Sequence, residues 1–104
     1  MGDMERYFEW DTKKADGNFR KHGITFEDAA LVFNDPFALS EQDRFENGEC
    51  RWQTIGMANG CLLVLVAHTL RFEDEGIEIV RIISARRVTR KERRRYEHGS
   101  IQTK

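Results

Sequence analysis

Residues 81–97, RIISARRVTRKERRRYE, combine side chains that are suited to holding a phosphate group. They contain eight Lys/Arg and two Glu residues. A guanidinium group presents a planar fork of donors that fits two phosphate oxygens at once, and Ser84 adds a hydroxyl. Upstream, His68 lies in an apolar run, and histidine is the side chain best suited to proton transfer near neutral pH. These residue types point to chemistry or binding at an anionic molecule.

The charge of the chain is strongly divided. The formal net charge is −1, but residues 1–80 hold 8 Lys/Arg against 16 Asp/Glu, whereas residues 81–104 hold 9 against 2. This asymmetry predicts either an anionic partner, most commonly nucleic acid, or pairing of the basic end with the acidic body. Composition alone does not separate the two.

Length and composition predict one domain over residues 1–104 with a charged surface. No apolar run approaches the roughly 20 residues that span a membrane, and residues 1–10 lack the apolar stretch of a signal peptide. We therefore expect a cytoplasmic protein. Cys50 and Cys61 have neither a CxxC nor a zinc-site spacing, so we expect reduced thiols, no metal and no cofactor.

The local patterns predict eight elements in the order β–α–α–(β)–β–β–β–α. Helices are indicated by N-caps at Asp11 and Thr25 and by a capping box of Thr89 and Glu92, and a hairpin is indicated by Asn59-Gly60. Strands grouped between helices predict an α+β fold, with an antiparallel sheet of three to four strands and helices packed on one face. The predicted strands are 5–10, 37–42, 51–58, 61–72 and 77–87, the helices 12–21, 26–35 and 90–97 or somewhat beyond.

A two-residue Asn59-Gly60 turn also predicts which side chains share a face. It pairs Ala58 with Cys61, and pairing outward forms a row of Arg51, His68 and Arg81 across three strands. The opposite face then suits a half-open groove, with the residues Trp52, Thr69, Arg71, Val80, Ser84 and Arg86. A bulge at Gly76 would shift the last strand by one residue and exchange its partners.

Each of these side chains also has a structural interpretation. A histidine on an apolar strand is commonly a satisfied core residue, His22 can stabilise the end of a helix dipole, and Trp52 can belong to the core. The arginines of the last helix can be solvated. On the residues alone, both interpretations remain open.

Six segments, in the same order along the chain, resemble the BrnT family, the ribonuclease toxins of bacterial type II toxin–antitoxin pairs. The segments are FEWD (8–11), NFRKHGITFEDA (18–29), FNDP (33–36), IG (55–56), HTLR (68–71) and RIISARRVTRKERRRYE (81–97). The resemblance runs from Phe8 to Glu97. It implies a RelE-like fold and metal-independent endonucleolytic RNA cleavage that inhibits translation and growth. It also implies a BrnA-like ribbon-helix-helix antitoxin as the partner, with DNA contacted only through that antitoxin and no membrane contact.

Such cleavage requires removal of a proton from the RNA 2′-hydroxyl, stabilisation of the phosphate charge and protonation of the leaving oxygen. We assign His68 as general acid or base, and Arg71, Arg81 and Arg86 as the residues that hold the phosphate. RNA-binding or supporting roles go to Arg51, Trp52, Thr69, Ser84, Arg87, Lys21 and His22. Contact with the antitoxin or with phosphates goes to Arg90, Arg93 and Arg94.

Two alternatives accompany this assignment. The first is an arginine-led mechanism in which His68 takes no part, because the class relies strongly on charge and positioning. The second is a non-catalytic RNA- or protein-binding module of the same fold.

Overall fold

A computed structural model describes the backbone of residues 5–102 and the side chains of residues 5–99. Its elements follow the predicted order. They are β1 (Glu5–Glu9), α1 (Thr12–His22), α2 (Phe26–Ala30) with a 3-10 turn (Leu31–Asn34), β2 (Leu39–Glu46), β3 (Glu49–Ala58), β4 (Leu62–Glu73), a 3-10 turn (Asp74–Gly76), β5 (Ile77–Arg87) and α3 (Arg90–Gln102). The predicted helix caps are confirmed, whereas β2 continues to Glu46, beyond the predicted end of this strand at residue 42. None of the described helices is long and apolar enough to cross a membrane.

The sheet is mixed and has five strands in the order β1-β5-β4-β3-β2. The prediction of an antiparallel sheet of three to four strands is therefore wrong. β1 pairs with β5 in parallel, with Glu5 opposite Ile77 and Glu9 opposite Arg81. Local patterns predicted β1 as a strand but carry no information about a partner some 70 residues away, and that pairing makes the sheet mixed.

β4 is the central strand of the sheet. The sequence predicts this position, because the run CLLVLVA (61–67) is apolar without alternation. Four successive residues from Leu63 to Val66 are buried. Since successive side chains point to opposite faces, both faces of the sheet are covered at this point. This position places β4, which carries His68, Thr69 and Arg71, between β3 and β5, which carry six further candidate site residues.

α1 and α2 cover the first face of the sheet. Their core includes Ile24 and Phe26 from the helical segment, packed against Val66, Val80 and Ile82. The 3-10 turn after α2 approaches β3 so closely that a Cβ atom on Gly56 would lie 2.7 Å from Val32 Cγ1. The first face is thus a closed core.

α3 covers part of the second face, so the prediction that all helices lie on one face is wrong. Val88 and Tyr96 pack against an apolar group of Ile55, Leu63 and Leu65. The Tyr96 hydroxyl donates to Asp35 Oδ2 at 2.6 Å and anchors the helix. The apolar half of the second face requires a cover, and α3 supplies it while leaving the polar half open.

The strand register differs by one residue from the predicted one. Asn59 and Gly60 have the left-handed φ angles of an Asn-Gly turn, but the connection also includes Cys61, and Ala58 lies opposite Leu62. Arg51 therefore lies opposite Thr69, and His68 lies opposite Trp52 and Ile82. The predicted row of Arg51, His68 and Arg81 is wrong, because one extra turn residue moves every side chain of β4 to the other face.

Candidate functional site

A row of polar side chains crosses the second face of the sheet and contains one residue from each strand. Successive Cα partners are Arg44 and Arg51, Arg51 and Thr69, Thr69 and Arg81, and Arg81 and Glu9. Because paired residues point to the same side of a sheet, these five side chains share one face. We call this set the arginine row.

A bulge in β5 adds Ser84 and Arg86 to the same face. The pairing of β4 with β5 shifts between Ala67 and His68, so that Ser84 lies opposite Ala67 and Arg86 opposite Leu65. Without the extra residue, Ser84 would point away from Arg81, since their separation is odd. Together with Arg71 on β4, the shared side forms what we call the polar face, which consists of Glu9, Arg51, Thr69, Arg71, Arg81, Ser84 and Arg86.

Glu9 joins two arginines of the polar face. Its Oε2 atom accepts from Arg71 Nη1 at 3.0 Å and lies 3.5 Å from Arg81 Nη1. The hydrogen bond from Arg71 lowers the pKa of Glu9 and raises that of Arg71. Arg71 also pairs with Glu73 at 3.1 Å. Both arginines are exposed, so they remain accessible to an anion while Glu9 holds them beside each other.

Glu92 of α3 holds Arg86 in a bidentate pair. Arg86 Nη1 and Nη2 donate to Glu92 Oε1 and Oε2, each at 2.9 Å. The same carboxylate accepts from the backbone N–H of Thr89, and Glu92 N–H donates to Thr89 Oγ1, which completes the predicted capping box. The bonds from Arg86 are the main cause that lowers the pKa of Glu92 to about 2. The beginning of α3 therefore orients the guanidinium of Arg86.

Arg51 differs from the other arginines of the polar face. Its side chain is half-buried, and its Nε atom is buried without a hydrogen-bond partner among the described residues. Thr69, its neighbour in the arginine row, is only 5% exposed.

His68 lies on the opposite face from the arginines with which we grouped it. It is 1% exposed and packs edge-on against Phe33, at 4.9 Å between ring centroids. Its Nε2 atom is 2.7 Å from Thr54 Oγ1, which in turn is 2.8 Å from Ser40 Oγ. Burial lowers the pKa of His68 to about 4. The structure thus gives His68 the features of a neutral core residue that has no access to the polar face.

Three other predicted site residues also lie away from the polar face. Trp52 is half-buried beside His68 in the sheet register, on the helix-covered side. Lys21 and His22 form the end of α1, whose helix packs on that same side. Trp52 is therefore not available on the polar face to stack an RNA base.

The basic residues that follow Arg86 do not form one patch. Arg87 and Arg93 line a small cavity of about 260 Å³ with Cys61 and Val88. Arg94 lines another cavity, of about 520 Å³, between α3 and Leu39 of β2. Arg90 is exposed in the first turn of α3, and Arg93 lies 4.0 Å from Glu97. These arginines surround α3 and are separate from the pairs that organise the polar face.

Three features of this face were not predicted from the sequence, namely Glu9, Arg44 and the second role of Glu92. The parallel pairing of β1 was needed to bring Glu9 to Arg81, and no local signal predicts it. Glu92 was identified as a capping residue, but its contact with Arg86 crosses from a strand to a helix, where helix spacing rules do not apply.

The described residues contain no group of three or more His, Cys, Asp or Glu side chains arranged to hold a metal ion. The ligand that the polar face fits is an anion, because guanidinium and hydroxyl groups supply hydrogen-bond donors. A phosphodiester has the charge and the oxygen geometry for such a site.

A match to a protein-family model identifies the family of this chain. The chain matches the family model of BrnT, the ribonuclease toxin of type II toxin–antitoxin systems, over residues 10–92. The chain belongs to the BrnT family. Toxins of this class act on RNA and pair with an antitoxin, and the resemblance noted in the sequence is thereby confirmed.

A BrnT crystal structure supports the same fold. The Brucella abortus ribonuclease toxin BrnT superposes with a TM-score of 0.61 and 22% sequence identity, over 84% of this chain and 100% of that one. A likeness at this identity is one of fold. A search among curated protein sequences finds no match.

Proposed function

We propose that this chain is a metal-independent endoribonuclease that cuts RNA on the polar face. The observation that carries the proposal is the assembly of Arg51, Arg71, Arg81 and Arg86 beside two hydroxyl groups on one open side of the sheet. A bulge, a parallel strand pair and a helix N-terminus all contribute to this arrangement. Family membership supplies RNA as the substrate.

In the proposed cleavage, the phosphoryl group is transferred from the 5′-oxygen to the 2′-oxygen within the RNA itself. The 2′-oxygen forms a bond to the adjacent phosphorus while the bond from phosphorus to the 5′-oxygen breaks, leaving a 2′,3′-cyclic phosphate and a 5′-hydroxyl. The phosphorane that forms carries additional negative charge on its oxygens. Arg71, Arg81 and Arg86 stabilise that charge, an electrostatic contribution that is usually the largest single one in catalysis.

The burial of His68 favours the arginine-led mechanism over the one with His68 as general acid or base. One proton leaves the 2′-hydroxyl and one reaches the 5′-oxygen. A carboxyl is ordinarily ionised near neutral pH, and the arginine partners lower the pKa values of Glu9 and Glu92 further. In this proposal the carboxylates orient the arginines, and the protons exchange with water at the open face.

The same proposal includes a BrnA-like antitoxin that covers the toxin and contacts DNA on behalf of the complex. Cleavage of cellular RNA without the antitoxin then inhibits translation and stops growth. The exposed arginines of α3, including Arg90 and Arg94, offer a basic surface for acidic antitoxin segments.

The test combines expression in bacteria with a cleavage assay. Expression without the antitoxin should arrest growth, and the purified chain should cut RNA in EDTA. Arg86→Ala should lower the cleavage rate by about 100-fold, whereas Arg93→Ala, with the same change of charge, should lower it by less than about threefold. Circular dichroism on both variants checks that α3 is still formed.

Intact RNA together with normal growth would overturn the proposal. Equal losses in the two variants would indicate diffuse binding instead of a site built around Arg86. RNA binding that weakens steeply with salt, without cleavage, would favour the non-catalytic RNA-binding module.

A further inference from the structure

We propose that Arg51 is the residue that receives a backbone phosphate of the bound RNA, at a position between Arg51 and Arg81 across Thr69. This deepens the proposed function, because it rests on RNA lying on the polar face, but it concerns binding and not the cleavage step. From the sequence, Arg51 has only a general RNA-binding or supporting role, and the phosphate is assigned to Arg71, Arg81 and Arg86.

The ion pairs divide the arginines of the polar face into two kinds. Arg71 and Arg81 share Glu9, and Arg71 also pairs with Glu73. Arg86 is held by Glu92 at two points. Among the described residues no carboxylate pairs with Arg51. The positive charge that the polar face leaves uncompensated is therefore that of Arg51.

Burial adds a second argument for a missing anion. The Nε atom of Arg51 is a buried donor without a partner among the described residues. Buried polar groups nearly always have a partner, and an unsatisfied donor at a charged group is costly. An acceptor that arrives from outside the chain would supply the missing partner.

On β2, the strand on the side of Arg51 away from Thr69, the neighbouring residue is also positively charged. Arg44 is the Cα partner of Arg51 on β2, and like charges directly opposite each other destabilise a sheet. Arg44 is itself paired with Glu46 at 3.0 Å. A bound phosphate would relieve the repulsion at Arg51 and satisfy its donor at the same time.

The distances across the sheet suit one phosphate. Neighbouring strands lie about 4.8 Å apart, so the Cα atoms of Arg51 and Arg81, two strands apart, are separated by about 10 Å. An extended arginine side chain is long enough to reach the middle of that gap. Thr69 lies there in the arginine row, and Glu9 holds Arg81 on the far side. The fork of a guanidinium fits two phosphate oxygens, which favours a phosphodiester over a single-atom ligand.

The experiment measures binding without cleavage. A fluorescent single-stranded RNA with 2′-O-methyl groups cannot be cut by its own 2′-oxygen, and its anisotropy reports Kd over a range of salt concentrations. Arg51→Met should raise Kd about tenfold or more at low salt. It should also reduce the slope of log Kd against log salt by about 0.7, the value for one phosphate contact on a single strand. Arg51→Lys should restore the slope but only part of the affinity, because it keeps the charge and loses the fork.

Arg20→Met is the matched control. Arg20 is exposed at the end of α1, on the helix-covered side, and its removal changes the net charge by the same amount. Kd should change by less than about twofold. If Arg51→Met gives the same Kd and the same slope as Arg20→Met, the proposal is overturned.

Unfolding in urea distinguishes a binding role from a structural one. Arg51→Met keeps the apolar stem and removes an unsatisfied buried donor, so its unfolding midpoint should equal or exceed that of the unaltered chain. A clearly lower midpoint would mean that Arg51 holds the fold, and this too would overturn the proposal.

The two proposals fail in different ways. RNA binding that depends on Arg51 but gives no cleavage of unmodified RNA would overturn the proposed cleavage and leave this inference intact. Cleavage of unmodified RNA by the unaltered chain, together with unchanged RNA binding in Arg51→Met, would overturn this inference and leave the proposed cleavage intact. Loss of antitoxin binding in Arg51→Met without a change in RNA binding would assign Arg51 to the antitoxin and overturn the inference.

Discussion

At the scale of single residues, side-chain type and environment point to different roles. His68 has the side chain most often used for proton transfer, yet it is buried against Phe33 and bonded to Thr54 on the closed side of the sheet. Arginine is not a usual side chain for proton transfer, yet the arginines occupy the open side. For assigning residues to the candidate site, the exposure and charge of a side chain are therefore more informative than the pKa of the free side chain.

Replacing His68 by Ala should destabilise the protein and leave the reaction intact. The change leaves a cavity and removes a buried hydrogen bond, so we expect the free energy of unfolding to fall by about 2–3 kcal/mol. The cleavage rate per folded molecule should stay within about twofold at low temperature. Urea unfolding and a cleavage assay on the same samples measure both quantities.

His98→Ala serves as the control for this change. His98 is exposed on α3, and its replacement should alter stability by less than about 0.5 kcal/mol. A stable His68→Ala protein with a large loss of cleavage would return His68 to the mechanism.

At the scale of elements, the polar face depends on how β5 is held beyond its pairing with β1. That pairing ends at Arg81, and the following residues need another partner on this edge. Asn18 of α1 supplies one. Its amide nitrogen donates to the carbonyl of Ala85 at 2.9 Å, and its Oδ1 accepts from Ala85 N at 3.0 Å. One buried side chain takes the place of a strand next to Ser84 and Arg86.

Replacing Asn18 by Ala should therefore loosen the end of β5. The change leaves both backbone groups of Ala85, and the carbonyl of Ile24, without this partner. We expect a loss of about 3 kcal/mol or more, because unsatisfied buried groups cost about 1–3 kcal/mol each. Hydrogen exchange should quicken at Ala85 and Arg86, and cleavage should fall with it.

Lys13→Ala, an exposed change in the same helix, provides the comparison and should alter stability by less than about 0.5 kcal/mol. Unchanged stability and exchange in Asn18→Ala would show that the end of β5 is held by its pairing with β4 alone.

The elements also show the limits of sequence patterns. Caps, turns and periodicity depend on neighbours within about four residues, and the Asp11, Thr25 and Thr89 caps were predicted correctly. The connection at Cys61 and the bulge before Ser84 each add one residue. Because side chains alternate along a strand, each addition exchanged the two faces, and the row across the strands was predicted with His68 in the position that Thr69 occupies.

At the scale of the whole molecule, acid should act on stability through groups on both sides of the sheet. Burial lowers the pKa of His68 from 6.5 to about 4, and Arg86 lowers that of Glu92 from 4.5 to about 2. At pH values between the folded and unfolded pKa of each group, the unfolded chain binds more protons than the folded chain. The free energy of unfolding therefore decreases as the pH falls through that range.

The His68 contribution should be lost between about pH 6.5 and pH 4, and the Glu92 contribution between about pH 4.5 and pH 2. The first amounts to about 3 kcal/mol when a pKa difference is converted at 1.36 kcal/mol per unit. Urea midpoints from pH 7.5 to pH 4 measure it. In His68→Phe, which keeps a ring against Phe33 but does not titrate, the decrease over this range should be much smaller. An equally steep decrease in that variant would assign the effect to other groups.

The sequence by itself determined the order of the elements, the central place of β4, the basic strand and helix at the end, and membership in the BrnT family. These features depend on local composition and on motifs that can be read one after another. Only the tertiary structure decided three features: the mixed sheet, the placement of helices on both faces, and the set of residues that meet on the polar face. The parallel pairing of β1 joins distant parts of the chain, and a single added residue in a turn or bulge reverses the faces of a strand. The segment RIISARR thus contributes Arg81, Ser84 and Arg86 to one surface because of its bulge, and that surface is completed by Arg51, Thr69 and Glu9 from three other strands.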